Sequence, residues 1–78
     1  MNNTYQTREL SEAAALLLNK QRLVEIKREK KVCWFIFDNQ KECERISNEF
    51  FFGELMVNAR TYYEAITRLK NRIFARSK

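Results

Sequence analysis

Seventy-eight residues, 45% of them apolar, carry 15 basic against 10 acidic side chains, a net charge of +5. That describes one small domain, residues 1–78, too apolar for disorder, without a run near the ~18 apolar residues of a membrane span or a basic-then-apolar leader, and it reads as cytoplasmic. With no histidine, one glycine (Gly53) and no CxxC, a zinc site, a His-based dyad, a P-loop and a GxGxxG are excluded, which points to a non-enzymatic binding protein with no cofactor or metal.

Residues 1–6 are polar and, like 76–78, are expected to fray. Thr7 or Ser11 can cap a first helix that runs to about Leu18. Leu10, Ala13, Ala14 and Leu17 recur at helical spacing, and Leu18 extends that stripe. Leu16 lies off the stripe and is a candidate for a contact outside the core. Asn19 stands where a left-handed C-cap residue belongs. Gln21 to Arg28 alternates loosely, with Val24 and Ile26 on one side and Leu23, Glu25 and Lys27 on the other. It reads as an edge strand whose charges discourage further pairing.

A turn near Glu29 and Lys30 returns the chain antiparallel into Val32–Phe37, Val-Cys-Trp-Phe-Ile-Phe. This run, rich in β-branched and aromatic residues, is the central strand. Val32, Trp34 and Ile36 share one face and Cys33, Phe35 and Phe37 the other. Both faces are apolar, so both are expected to be covered.

Asp38 and Asn39 offer N-caps for a second helix, and Asn39 with Glu42 fits a capping box. Cys43, Ile46 and Phe50 form its buried stripe, and Gly53 stops it. Cys33 and Cys43 read as small core hydrophobes rather than a disulfide. Leu55 and Val57 alternate and offer a brief third strand. Asn58 caps the last helix, with Val57 and Tyr62 placed as a hydrophobic staple. Ala59, Tyr62, Tyr63, Ile66, Leu69 and Ile73 make its apolar arc, Phe74 lies at the edge, and Arg60, Glu64, Arg68 and Arg72 lie opposite. The fold class is therefore α+β: helix, antiparallel hairpin, helix, short connection, helix, with the helices on a small sheet.

Several marks recur together: Tyr5-x-Thr7-Arg8, Leu10, Ala13-Ala14, Phe35-x-Phe37-Asp38, the aromatics Phe50 to Phe52, Gly53, Val57-Asn58-Ala59 and Leu69-Lys70-x-x-Ile73-Phe74. In this order the chain resembles a family of small uncharacterised prokaryotic and phage domains over nearly its whole length. Members usually have glycine where this chain has Asn19. The resemblance implies the same fold and a phage or mobile-element association, and it supplies no activity and no site.

Charge is unevenly placed. Residues 20–31 hold six Lys/Arg against two Glu, 56–78 hold six against one, and 38–54 hold five acids against two bases. Lys27, Arg28, Lys30 and Lys31 at the hairpin are candidate contacts to a phosphate backbone. The plainer reading is a solvated turn. Arg68, Arg72 and Arg76 climb the last helix at i, i+4, i+8 and form a second candidate track, though Glu64 is spaced to pair with Arg68. Lys70 falls inside the apolar arc on a helical wheel, and is expected to snorkel or to pair with a carboxylate such as Asp38. Phe50, Phe51 and Phe52 cannot all face one core. Phe51 and Phe52 join Leu16 as candidate partner-interface residues, against the plainer reading of packing beneath the Gly53 turn.

The favoured function is contact with a nucleic-acid backbone through the basic patches. The alternative is a protein-binding module, for example an inhibitor of a host factor, using the acidic middle and exposed aromatics. A two-fold homodimer is expected in either case, since a short chain has many large apolar groups to hide. Merging of the hairpin bases with the last-helix arginines favours nucleic acid; separate acidic and basic faces with exposed aromatics favour protein.

Overall fold

The computed structural model describes residues 3–76 as β1 (Tyr5–Thr7), α1 (Leu10–Leu18), β2 (Leu23–Glu29), β3 (Val32–Phe37), α2 (Gln40–Phe51) and α3 (Ala59–Arg76). The apolar run forms β3, as its composition demands, and it is the middle strand of an antiparallel sheet ordered β1-β3-β2. The β2–β3 hairpin closes through Lys30 and Lys31, with Glu29 opposite Val32 and Lys30 left-handed at φ 56°. The architecture is α+β, three helices on a three-stranded sheet among the described residues.

The third strand comes from the other end of the chain than expected. Leu55 and Val57 form no strand. Tyr5 and Gln6, expected to fray, and Thr7, expected as a helix cap, pair with Phe35–Phe37 instead. Their anchor is polar: the Tyr5 and Thr7 hydroxyls both donate to the Glu12 carboxylate, Thr7 at 2.6 Å, and Tyr5 also lies 3.1 Å from the Ser47 hydroxyl. The Asn3 carbonyl accepts from the Gln40 N–H at 2.8 Å, tying the same segment to the start of α2. Of the other expected frayed end, Arg76 closes α3, and residues 77 and 78 lie outside the described ones.

α1 is packed against both α2 and α3, and Ala13 to Leu16 are buried as a continuous run. A helix covered on more than one side buries more than one stripe. Leu16 is accordingly a core residue at 0% exposure, which removes it from the candidate interface, while Leu10, Leu17 and Leu18 are only half-buried at the rim. Neither Thr7 nor Ser11 is the N-cap. Glu9 holds that position without a side-chain cap, and its N–H donates back to the Thr7 hydroxyl. At the other end the left-handed residue is Lys20, φ 66°, not Asn19 (φ −96°), whose side-chain amide donates to the Ala15 carbonyl at 2.8 Å.

A β-bulge between Leu23 and Glu25 corrects the reading of β2. The extra residue, Val24, shifts the alternation by one. Leu23 and Ile26 therefore pack on the core, while Val24 is 48% exposed. β3 is also covered on one face only. Phe35 and Phe37 are buried with Cys33 half-buried beside them, whereas Val32, Trp34 and Ile36, also half-buried, lie outside the core cluster. All three helices lie on the Phe35/Phe37 side, and no described element covers the opposite face of the sheet.

α2 keeps its expected cap. The Asn39 side chain accepts from the Glu42 N–H at 3.4 Å, but Glu42 turns to Arg45 rather than closing the box. Cys43 and Ile46 are buried, Phe50 half-buried, and Gly53 at φ 73° ends the helix, donating its N–H to the Phe50 carbonyl. Asn58 caps α3 by accepting from the Thr61 N–H at 3.0 Å. The buried arc of α3 is centred on Ala65 and Leu69, with Tyr62, Ile66 and Ile73 at its sides. Tyr63, expected in that arc, is 70% exposed. The same rotation puts Lys70 in solvent, and Asp38 sits instead 3.9 Å from Arg22.

Candidate functional site

The strand order separates the charges. β2, with the hairpin bases, is one edge of the sheet, and β1, against which α2 packs, is the other. On α2 the acids are largely answered in place: Arg45 binds Glu42 and Glu49, each at 2.8 Å. That contact holds the Glu42 carboxyl below its usual range and raises the Arg45 guanidinium. Gln40 donates to Glu44 at 3.1 Å. The acidic helix is thus partly neutralised by its own side chains.

The basic edge is answered only in part. Lys30 and Lys31 at the hairpin turn, and Arg68 and Arg72 on α3, are exposed, and none has a carboxylate partner among the described residues. The Glu64–Arg68 pair that the spacing allows is not made. Lys27 is different: it stands opposite Trp34 on the open sheet face and pairs with Glu29 at 3.5 Å. Arg28 stands opposite Cys33, on the helix-side parity of the strand, and is exposed. The side chain of Arg76 lies outside the described residues.

The two basic tracks approach each other along β2. Arg72 lines a hollow with Leu23, Val24, Glu25 and Ile26. From Ile26 to Lys30 the strand advances four residues at ~3.3 Å each, about 13 Å. That is the scale of the ~12 Å major groove of duplex DNA, whose walls are phosphate ridges. Arg68, one turn back from Arg72, lies beside Leu17, Leu18 and Thr61.

Exposed aromatics gather elsewhere. Phe51 and Phe52 are 79% and 70% exposed, so neither packs beneath the Gly53 turn, and their rings meet edge-to-face at 5.1 Å. Met56, in the connection that follows, is 93% exposed. Separated charge and exposed aromatics are both present, as is the partial meeting of hairpin and helix bases.

A hollow of about 540 Å³ beside the start of α2 is lined by Asn3, Asn39, Gln40, Lys41 and Glu44, without a nucleophile–base pair. The Cys43 thiol is buried, donates to the Asp38 carbonyl at 3.3 Å, and is pushed up to about 11 by burial, with Glu12, Asp38 and Glu42 adding to the effect. Such a thiol is inert at neutral pH. Both cysteines are free, and no group of His, Cys, Asp and Glu suited to a metal occurs among the described residues. Nor is any helix there long and apolar enough to cross a membrane.

Sequence reasoning missed the Tyr5–Glu12–Thr7 cluster. Its signal was present, since Tyr5 and Thr7 alternate at strand period beside a helix bearing Glu12, but three residues are too few for periodicity to stand out. The open sheet face was missed because apolar residues on both sides of β3 imply two covers.

The chain belongs to a family described as a domain of unknown function (DUF5659), whose pattern matches residues 2–75. No curated protein and no solved structure matches it.

Proposed function

We propose that the protein is a non-enzymatic binding protein whose β2–α3 edge contacts a nucleic-acid backbone. The observation that carries this reading is the set of four exposed bases, Lys30, Lys31, Arg68 and Arg72, without carboxylate partners among the described residues. Of the ten acids, Glu42, Glu44 and Glu49 lie on α2, toward the far edge of the sheet, while Glu25 and Glu29 lie on β2 and Glu64 on α3. Four phosphate contacts on a duplex give a slope of log affinity against log salt of about −3.6. No side chain in this set is arranged to read base edges, so the protein binds without marked sequence preference. Fluorescence anisotropy with labelled single- and double-stranded probes across a salt series tests it. Lys30→Glu with Lys31→Glu should weaken binding to all sequences alike and flatten the slope, with the fold unchanged. Absence of binding at low salt ends the proposal. On this reading the setting is a phage or mobile element, as the family resemblance implies, and the cytoplasm, as the composition suggests.

A second reading rests on a separate observation, the exposed Phe51, Phe52 and Met56 at the end of α2. Large apolar groups in such positions are the usual anchors of protein interfaces. On this reading the patch docks a protein partner, such as a host factor that the protein inhibits, and Phe51→Ser with Phe52→Ser removes a partner captured by the parent chain.

A further inference from the structure

The open face of the sheet presents the alternate residues of two strands. From β3 it carries Val32, Trp34 and Ile36, all half-buried, and from β2 it carries Glu25, Lys27 and Glu29, which stand opposite Ile36, Trp34 and Val32 in turn. Gln6 of β1 stands opposite Ile36 on the other side. The helices all lie on the reverse side, so the described residues leave this apolar row without a cover.

We propose that this face is a self-association surface, on which two copies pack face to face about a two-fold axis running across the strands. The charge order makes the case. Along β2 the open face reads acid, base, acid. A two-fold axis passing between positions 27 and 29 reverses the order, sets Lys27 of each copy against the partner's Glu29 in exchange for the 3.5 Å pair it makes with its own Glu29, and stacks Trp34 of each copy on Val32 of the other. Each pair is made twice, as an isologous interface requires. A phosphate backbone suits the β2 side of the face poorly, because Glu25 and Glu29 flank Lys27.

Three strands ~4.8 Å apart and ~20 Å long present a flat area of roughly 300 Å², so the contact belongs with small, reversible interfaces. The dimer should dissociate in the micromolar to millimolar range.

Trp34 is the sole tryptophan of the chain, which makes its emission a reporter for this face. Sedimentation and tryptophan fluorescence are followed together as the full chain is diluted. The expected result is a doubling of mass at high concentration, tracked by a blue shift of Trp34 emission and lower quenching by iodide. Lys27→Glu alone, and Glu25→Lys with Glu29→Lys, should each stay monomeric at concentrations where the parent is dimeric, with unchanged circular dichroism. An equimolar mixture of the two variants should associate again. A mass doubling with Trp34 emission unchanged would place the interface elsewhere and overturn the proposal, as would a parent that stays monomeric into the millimolar range, or a mixture that fails to associate. A blue shift produced by single-stranded oligonucleotide in the dilute monomer would give the face to nucleic acid instead.

Discussion

Phe35 shows most simply how a single side chain holds the fold. It is 1% exposed, belongs to the middle strand, and stands between Thr7 on one side and Ile26 on the other. Phe35→Ala leaves a cavity in the core and should cost about 3–5 kcal/mol, a large share of a small domain's stability. Denaturant unfolding measures it, and a loss below about 1 kcal/mol would mean that the core is centred elsewhere. Cys43 gives a pH signature. Its folded-state value lies near 11 against an ordinary 9.0, so the neutral thiol is favoured on folding. The contribution is therefore complete below pH 9.0 and lost as pH rises toward about 11. Tyr5, raised by burial and by its bond to Glu12, acts in the same direction above its own ordinary value of 10.0. Stability measured from neutral to alkaline pH should fall across that window, and Cys43→Ala should flatten the fall while leaving the part due to Tyr5. A profile identical in parent and variant would contradict the assignment.

At the scale of elements, β1 owes its place to polar contacts. Three residues pair with β3, and the Glu12 carboxylate receives both hydroxyls that the strand offers to α1. Glu12→Ala takes the acceptor from the Thr7 hydroxyl and leaves Tyr5 only its contact to Ser47, and should destabilise by about 1–3 kcal/mol. Hydrogen exchange at Tyr5 and Thr7 should quicken more than at Val32–Phe37, and equal quickening everywhere would show that β1 is not a separate unit. The longer elements were legible in the sequence because each carries its own signal: six consecutive apolar residues for β3, and asparagine caps before α2 and α3. Where the signal was long-range, reading failed. Leu16 is off the stripe of α1 yet fully buried, since α2 and α3 cover the helix from two sides. One extra residue at Val24 moved Leu23 into the core, and no periodicity announces a bulge. Of the candidate site, the bases were legible as composition. Which of them are paired was not, because pairing depends on rotamers and on the facing strand, as Lys27 with Glu29 and the unmade Glu64–Arg68 pair show.

For the whole molecule, the central consequence of the fold is a separation of surfaces. The order β1-β3-β2 puts the hairpin bases and α2 at opposite edges, α1 lies between α2 and α3, and the sheet turns its Trp34 face away from all three helices. Backbone binding at the basic edge and self-association on the open face are therefore compatible. A dimer formed there would bring two basic edges into one particle, with a tighter grip on a long duplex than on one too short to span both. The most direct measurement is amide chemical-shift mapping of the full chain as a short duplex is added at low salt. Binding at the basic edge predicts perturbations at Lys27 to Lys31, at Leu23 to Ile26 beside Arg72, and along α3 from Arg68, reversed by added salt. Perturbations confined to Phe51, Phe52 and Met56, or no change at all, would contradict it.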